Sequence, residues 1–253
     1  MIKNVSKISV LLLVFIMIFT ACSEKEELNK KPLEQPSKQE IQAEDNLNQY
    51  NIEVQFYPDK KMISGKQEVI YINNEDVSLD KIYFHLYPNA FKKKETLPFL
   101  FDDYMRAYPK GFEEGYIDIK GLWIEDKASS FSIGGFGDTI MEVTLPRILE
   151  PGEKISIKME YDIKIPPATE RFGYGDEAYN LGNWYPVAAV YDHSGWNLDP
   201  YYSIGDPFYI DVSNYNVTIK APKDMMIATT GEILSDKIMD NIREWSIKAT
   251  KTR

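Results

Sequence analysis

The chain has 253 residues, 43% hydrophobic and 27% charged, enough apolar content to bury a core of ordinary size and too much for an intrinsically disordered protein. Its net charge of -10 argues against nucleic acid as a partner, because phosphate binding needs a basic face. A single cysteine excludes an intrachain disulfide, and an aromatic share of 13% favours sheet-rich structure or a surface that handles rings, chains or peptides.

Residues 1–22, MIKNVSKISVLLLVFIMIFTAC, place Lys3 and Lys7 ahead of the apolar run Ile8 to Phe19, followed by small residues and Cys22. This is the layout of a secretory signal, and the run is short for a membrane span. Phe19-Thr20-Ala21-Cys22 resembles a bacterial lipobox, in which the cysteine carries a diacylglycerol; an ordinary cleaved signal is the alternative. Cys22 is read as the lipidation site, since two acyl chains suffice for stable anchoring. The expected location is the outward-facing side of a bacterial cell membrane, with the membrane itself as a partner. Removing residues 1–22 takes away two lysines and no acids, which moves the net charge from -10 to -12.

Residues 23–46, SEKEELNKKPLEQPSKQEIQAEDN, are charged, hold two prolines and lack any aromatic. They cannot bury enough apolar surface to offset ordering and are read as a flexible charged tether.

Residues 47–253 form the expected domain, in which the apolar period is two. In KISIKMEYDIKIP, Ile155, Ile157, Met159, Tyr161, Ile163 and Ile165 alternate with Ser156, Lys158, Glu160, Asp162 and Lys164, which puts every apolar side chain on one strand face. The same alternation runs through Ile52, Val54 and Phe56, through Ile82, Phe84 and Leu86, through Met141, Val143 and Leu145, and through Tyr215, Val217 and Ile219. Turn residues stand between them: Pro58-Asp59, Pro151-Gly152, and Gly134-Gly135 with Gly137-Asp138. Strands joined by such short turns pair antiparallel. Phe99 to Tyr108 alone reads as helical. The expected fold is all-β, a mostly antiparallel saddle-like sheet or β-sandwich, with a long aromatic-rich insertion from Pro166 to Pro207 that lacks regular structure.

Little in the chain carries chemistry. His85 and His193 lie on different elements without a neighbouring histidine or thiol, so no metal site is expected. His85 reads as a partly covered ring in an aromatic strip with Tyr83 and Tyr87. Asp192-His193-Ser194 holds residue types used in nucleophilic catalysis, but neighbours in a loop do not converge as nucleophile, base and orienter, and no G-x-S-x-G elbow supports them. Asp192, Asp199, Asp206 and Asp211 could supply a glycosidase pair, yet aspartates in Gly- and Pro-rich loops are ordinarily turn formers. Asn216-Val217-Thr218 matches a glycosylation sequon inside a strand and is read as chance. No catalytic residue is assigned.

The segment GNWYPVAAVYDHSGWNLDPYYSIGDPFY, residues 182–209, crowds eight rings among glycines, prolines and aspartates. Together with ISGKQEVIYINN, KIYFHLYPNAF, LEPGEKISIKMEYDIKIP and YNVTIKAPKDMMIATTGE, the part NWYPVAAVYD resembles, in order and spacing, the amino-terminal domain of the alanyl aminopeptidase and leukotriene hydrolase family of zinc metallopeptidases. The likeness runs from about Tyr50 to the last residue and is closest to membrane-anchored bacterial members. It implies a saddle-shaped β-domain that packs on a helical catalytic domain, positions peptide substrate and performs no chemistry alone. The H-E-x-x-H motif and distal glutamate of the catalytic domain do not occur in this sequence, so the resemblance implies no cofactor in this chain and zinc in a full-length parent. The implied partners are peptides and a catalytic domain, in trans if need be. The implied substrate-binding or interface residues are Asn180, Asn183, Trp184, Tyr185, Trp196, Tyr201 and Tyr202, with the rings half against their own sheet and half against the partner. A surface lipoprotein that binds carbohydrate or another ligand through exposed aromatics is the alternative.

Overall fold

The alternation of the sequence becomes a two-layered β-structure in the computed structural model, which describes residues 46–253. The signal, the Cys22 lipidation site and the tether up to residue 45 lie outside the described residues. In β8 (Lys154–Lys164), Ile155, Ile157, Met159, Tyr161 and Ile163 are all buried, while Ser156, Lys158, Glu160 and Asp162 face away. β8 lies between β2 (Met62–Ile72) and β4 (Tyr116–Ile124), antiparallel to both. β1 (Asn48–Tyr57) turns into β2 through Pro58–Lys60, where the Lys61 N–H donates to the Pro58 carbonyl at 3.1 Å.

The free edge of β1 takes β14 (Ser213–Pro222), and this pair is parallel, with Ile52 beside Val217. β16 (Ile242–Thr252) and β15 (Glu232–Met239) continue that side, and β5 (Lys127–Ala128) adds to β4. The order of the larger sheet is therefore β15-β16-β14-β1-β2-β8-β4-β5. The second sheet has β3 (Leu79–His85) and β7 (Ile140–Leu149) at its centre, flanked by β11 (Val187–Ala188) and β6 (Ser132–Gly134), all antiparallel. Ile82, Phe84, Met141 and Val143 are fully buried and share one core with Tyr50, Ile52, Val69, Ile157 and Tyr161 of the larger sheet. Each such side chain contributes roughly 1.5–3 kcal/mol through the apolar area it removes from water.

The all-β, mostly antiparallel expectation holds, as do the β6–β7 hairpin around Gly135 and Gly137 and the short helix α1 (Phe101–Ala107). Three details differ. The parallel β1–β14 pair joins strands far apart in the sequence, so no turn dictated its direction. The insertion is not wholly irregular: β9 (Phe172–Tyr174) pairs with β10 (Tyr179–Leu181), β12 (Tyr191–Asp192) pairs with β13 (Gly195–Trp196), and β11 joins the second sheet. Gly173 permits the first of these, because at φ 155° a Cβ there would overlap the Ala168 carbonyl oxygen. His85 is buried rather than partly covered, since the insertion folds over the outer face of β3. Among the described residues, no helix is long and apolar enough to cross a membrane.

Candidate functional site

The aromatic segment is tied to the sheets by polar groups that occupy inward positions. Gln67 holds an apolar slot of β2, between Gly65 and Val69, and its Nε2 donates to the Pro186 carbonyl at 2.8 Å. The Tyr50 hydroxyl accepts the Ala188 N–H at 3.1 Å, and the Ala189 N–H donates to the Tyr83 carbonyl at 2.8 Å. Val187 and Ala188 pair with His85 and Phe84, so the chain between Pro186 and Ala189 runs as an added edge strand. A buried polar group without a partner is costly, which makes these bonds anchors of position.

Around the anchors the rings interlock. Tyr185 meets Tyr50 at 5.8 Å and Tyr215 at 6.0 Å, both edge-on, and Trp184 meets Tyr185 at 5.5 Å. Trp196 stands edge-on to Tyr191 at 5.3 Å and packs against Tyr83 at 5.5 Å. Trp184, Tyr185 and Trp196 are half-buried and pack against the core; Tyr185 is the most enclosed, with burial pushing its hydroxyl well above the usual tyrosine range. Tyr201 behaves differently: it is 4% exposed and enclosed by Tyr87, Phe91 and Phe208, so it offers nothing to a partner. Its neighbour Tyr202 is 59% exposed, with Ile204 at 63% and Tyr209 at 47%.

The loop that carries Tyr202 and Ile204 is fixed rather than loose. Ser203 donates from Oγ to the Pro98 carbonyl at 2.7 Å, and Arg171 donates to the carbonyls of Ser203 and Gly205 at 3.1 and 2.9 Å. Leu100 and Met105, outside the segment, are also exposed. Ile204, Leu100 and Met105 are isolated apolar residues in a loop or at a short helix and carry no periodic signal in the sequence.

The remaining candidates do not gather into a site. Asn180 is exposed, and its side-chain amide donates to the Glu170 carbonyl at 2.9 Å. Asn183 is half-buried at φ 45°, the left-handed conformation that asparagine tolerates. Asp192 accepts the Ser194 N–H at 2.8 Å in a tight turn, while the His193 ring points to solvent, so the three residues form a loop and not a triad. Asp199 meets the Asn197 side chain at 3.3 Å. Among the described residues no group of three or more His, Cys, Asp or Glu side chains could hold a metal ion.

No protein-family profile matches the sequence, and no curated protein matches it. Solved structures do match the fold. A mutant M1 zinc metallopeptidase from Deinococcus radiodurans aligns with a TM-score of 0.50 and 14% identity over 80% of this chain and 38% of that one. A two-domain M1 zinc metallopeptidase mutant bound to L-tryptophan aligns with a TM-score of 0.51 and 14% identity over 80% of this chain and 39% of that one. The fold is thus one found within M1 zinc metallopeptidases. The chain spans less than two-fifths of the length of these structures.

Proposed function

We propose that the chain is the non-catalytic N-terminal domain of an M1-type zinc metallopeptidase, packing on a zinc-bearing catalytic domain and forming one wall of its peptide site. The observation that carries this reading is the two-sidedness of the aromatic segment. Buried bonds from Gln67 and Tyr50 fix its inner side, while Trp184 and Trp196 stay partly exposed and Tyr202 is 59% exposed. Partly exposed rings such as Trp184 and Trp196, already packed on one side, suit an interface, because less side-chain freedom remains to be lost on docking. The chain's own part is to bind and orient peptide; no proton or bond is handled by its residues. The zinc of such enzymes activates a water for attack on the scissile carbonyl, and it would sit on the other domain.

A lipid on Cys22 would hold this assembly at the outer side of a bacterial membrane. Metabolic labelling with palmitate tests that part: Cys22→Ala loses the label and leaves the membrane fraction, whereas a labelled Cys22→Ala chain overturns it. The coding sequence after codon 253 tests the peptidase origin. An H-E-x-x-H motif there, in or out of frame, supports it, and an unrelated gene with its own start counts against it.

The open rings Tyr202 and Tyr209 favour one second reading, a surface lipoprotein that stacks carbohydrate. Glycan titrations followed by tryptophan fluorescence separate the two, since the peptidase reading expects no response.

A further inference from the structure

The hairpin made by β12 and β13 runs into Asn197, which meets a buried side chain of the second sheet. His85, on the outer face of β3, is 1% exposed and lies flat on Tyr87, with ring centroids 4.8 Å apart and planes at 3°. Its Nε2 is 3.2 Å from the Asn197 carbonyl oxygen. A carbonyl only accepts, so Nε2 carries the proton and Nδ1 is a bare lone pair. That Nδ1 is buried with no partner.

Asn197 closes the hairpin. Its N–H donates to the Val190 carbonyl at 2.8 Å, and its side-chain amide reaches Asp199 at 3.3 Å. Beyond this point the hairpin rests on the sheet through the Trp196 ring, against Tyr83 and, at 6.5 Å, Tyr71. We propose that His85 is an acid-sensitive latch that holds the Tyr191–Asn197 hairpin and Trp196 on the second sheet, and that protonation of Nδ1 frees the hairpin while the larger sheet stays folded.

A proton on Nδ1 creates a charged donor in a buried place with nothing to accept from it. The surroundings offer little relief. The residues paired with His85 on β7 and β11 are Ile140 and Val187, and Tyr87 covers the ring face. On β3 itself Lys81 and Tyr83 are both engaged by Glu142 of β7. Asp199 is the carboxylate whose charge favours the protonated ring. Burial outweighs the Asn197 bond and Asp199, and pulls the ring down to about 4. Reaching the charged state from the ordinary histidine range is easier with the ring in water, which requires the 191–197 cover to lift. The larger sheet lies across the core and owes none of its strand pairing to that cover.

The chain has two histidines and four tryptophans, so magnetic resonance of the full chain in mild detergent, labelled at histidine Cε1 and at the indole nitrogens, resolves each ring. His193→Gln and Trp196→Phe assign the two signals that matter. Between about pH 5 and about pH 4 the Trp196 indole and His85 signals leave their native positions together, while the Trp245 signal on β16 stays. His85→Gln keeps a donor for Asn197 without a titrating ring, and it abolishes the separate Trp196 transition. Simultaneous movement of Trp196 and Trp245, titration of His85 in the ordinary range near 6.5, or an unchanged Trp196 transition in His85→Gln would each overturn the latch. If His85→Gln does not fold, the order of the Trp196 and Trp245 transitions in the unsubstituted chain decides.

Discussion

Tyr50 of β1 and Tyr215 of β14 stand side by side in a parallel register and stack, with ring centroids 4.9 Å apart and planes at 15°. Tyr185 meets both edge-on, and the Tyr50 hydroxyl also takes the Ala188 N–H, so this pair seats the aromatic segment. Tyr50→Phe keeps the stack and leaves the Ala188 N–H without its acceptor. The expected cost is about 1–3 kcal/mol, read as a lower urea midpoint at unchanged slope. A midpoint equal to that of the unsubstituted chain would show that the hydroxyl holds nothing.

The close approach at Gly173 gives a second test. Gly173→Ala forces a Cβ into the Ala168 carbonyl, whereas Gly152→Ala, at φ 80°, meets no atom within contact distance. The second substitution costs about 1–2 kcal/mol, the strain of the left-handed conformation. The first adds overpacking of a further 1–3 kcal/mol or so and detaches the β9–β10 pair. Thermal unfolding of the two variants checks the order, and equal midpoints would contradict it.

Acid stability carries the signature of His85. Its folded-state value is below its unfolded one, so the unfolded chain binds more protons and stability is lost as pH falls from about 6.5 to about 4. The loss is on the order of 3 kcal/mol. Glu142 and Asp138, held below the usual carboxylate range by hydrogen bonds from Lys81 and Lys92, lose stability in the same direction at lower pH. The difference between the unsubstituted chain and His85→Phe isolates the histidine: that difference shrinks as the pH is lowered from 7 to 4. A constant difference would rule out a buried neutral ring.

Tyr201 and Tyr202 are neighbours with opposite environments. Tyr201→Ala empties a site packed by Tyr87, Phe91 and Phe208 and costs about 3–5 kcal/mol. Tyr202→Ser with Ile204→Ser stays within about 0.5 kcal/mol of the unsubstituted stability, read as an unchanged urea midpoint. Equal destabilisation by both changes would mean that the open face is part of the core.

Much of the fold was legible because a buried strand face imposes a period of two, and β8 shows it over its whole length. The turns at Pro58 and Gly135 were legible for the same kind of local reason. The parallel β1–β14 register was not, since it is set by packing between distant segments. Nor were the strands of the insertion, which are two or three residues long and too short for any period. The rings of the candidate face were visible as composition, but the enclosure of Tyr201 and the exposure of Tyr202 depend on Phe91, Pro98 and Arg171, far away in the chain. Gln67 did leave a signal, a polar residue in an inward slot of β2, whose meaning needed its partner Pro186.

Hydrolysis of an aminoacyl chromogenic substrate, with added zinc, by residues 23–253 alone and mixed with a separately expressed H-E-x-x-H domain of the M1 type tests the proposed two-domain assembly most directly. No turnover by these residues alone, turnover on mixing, and loss of that turnover when Tyr202→Ser and Ile204→Ser are introduced are the expected results. Zinc-dependent turnover by these residues alone, or activity of the mixture that ignores the substituted face, would contradict the proposal.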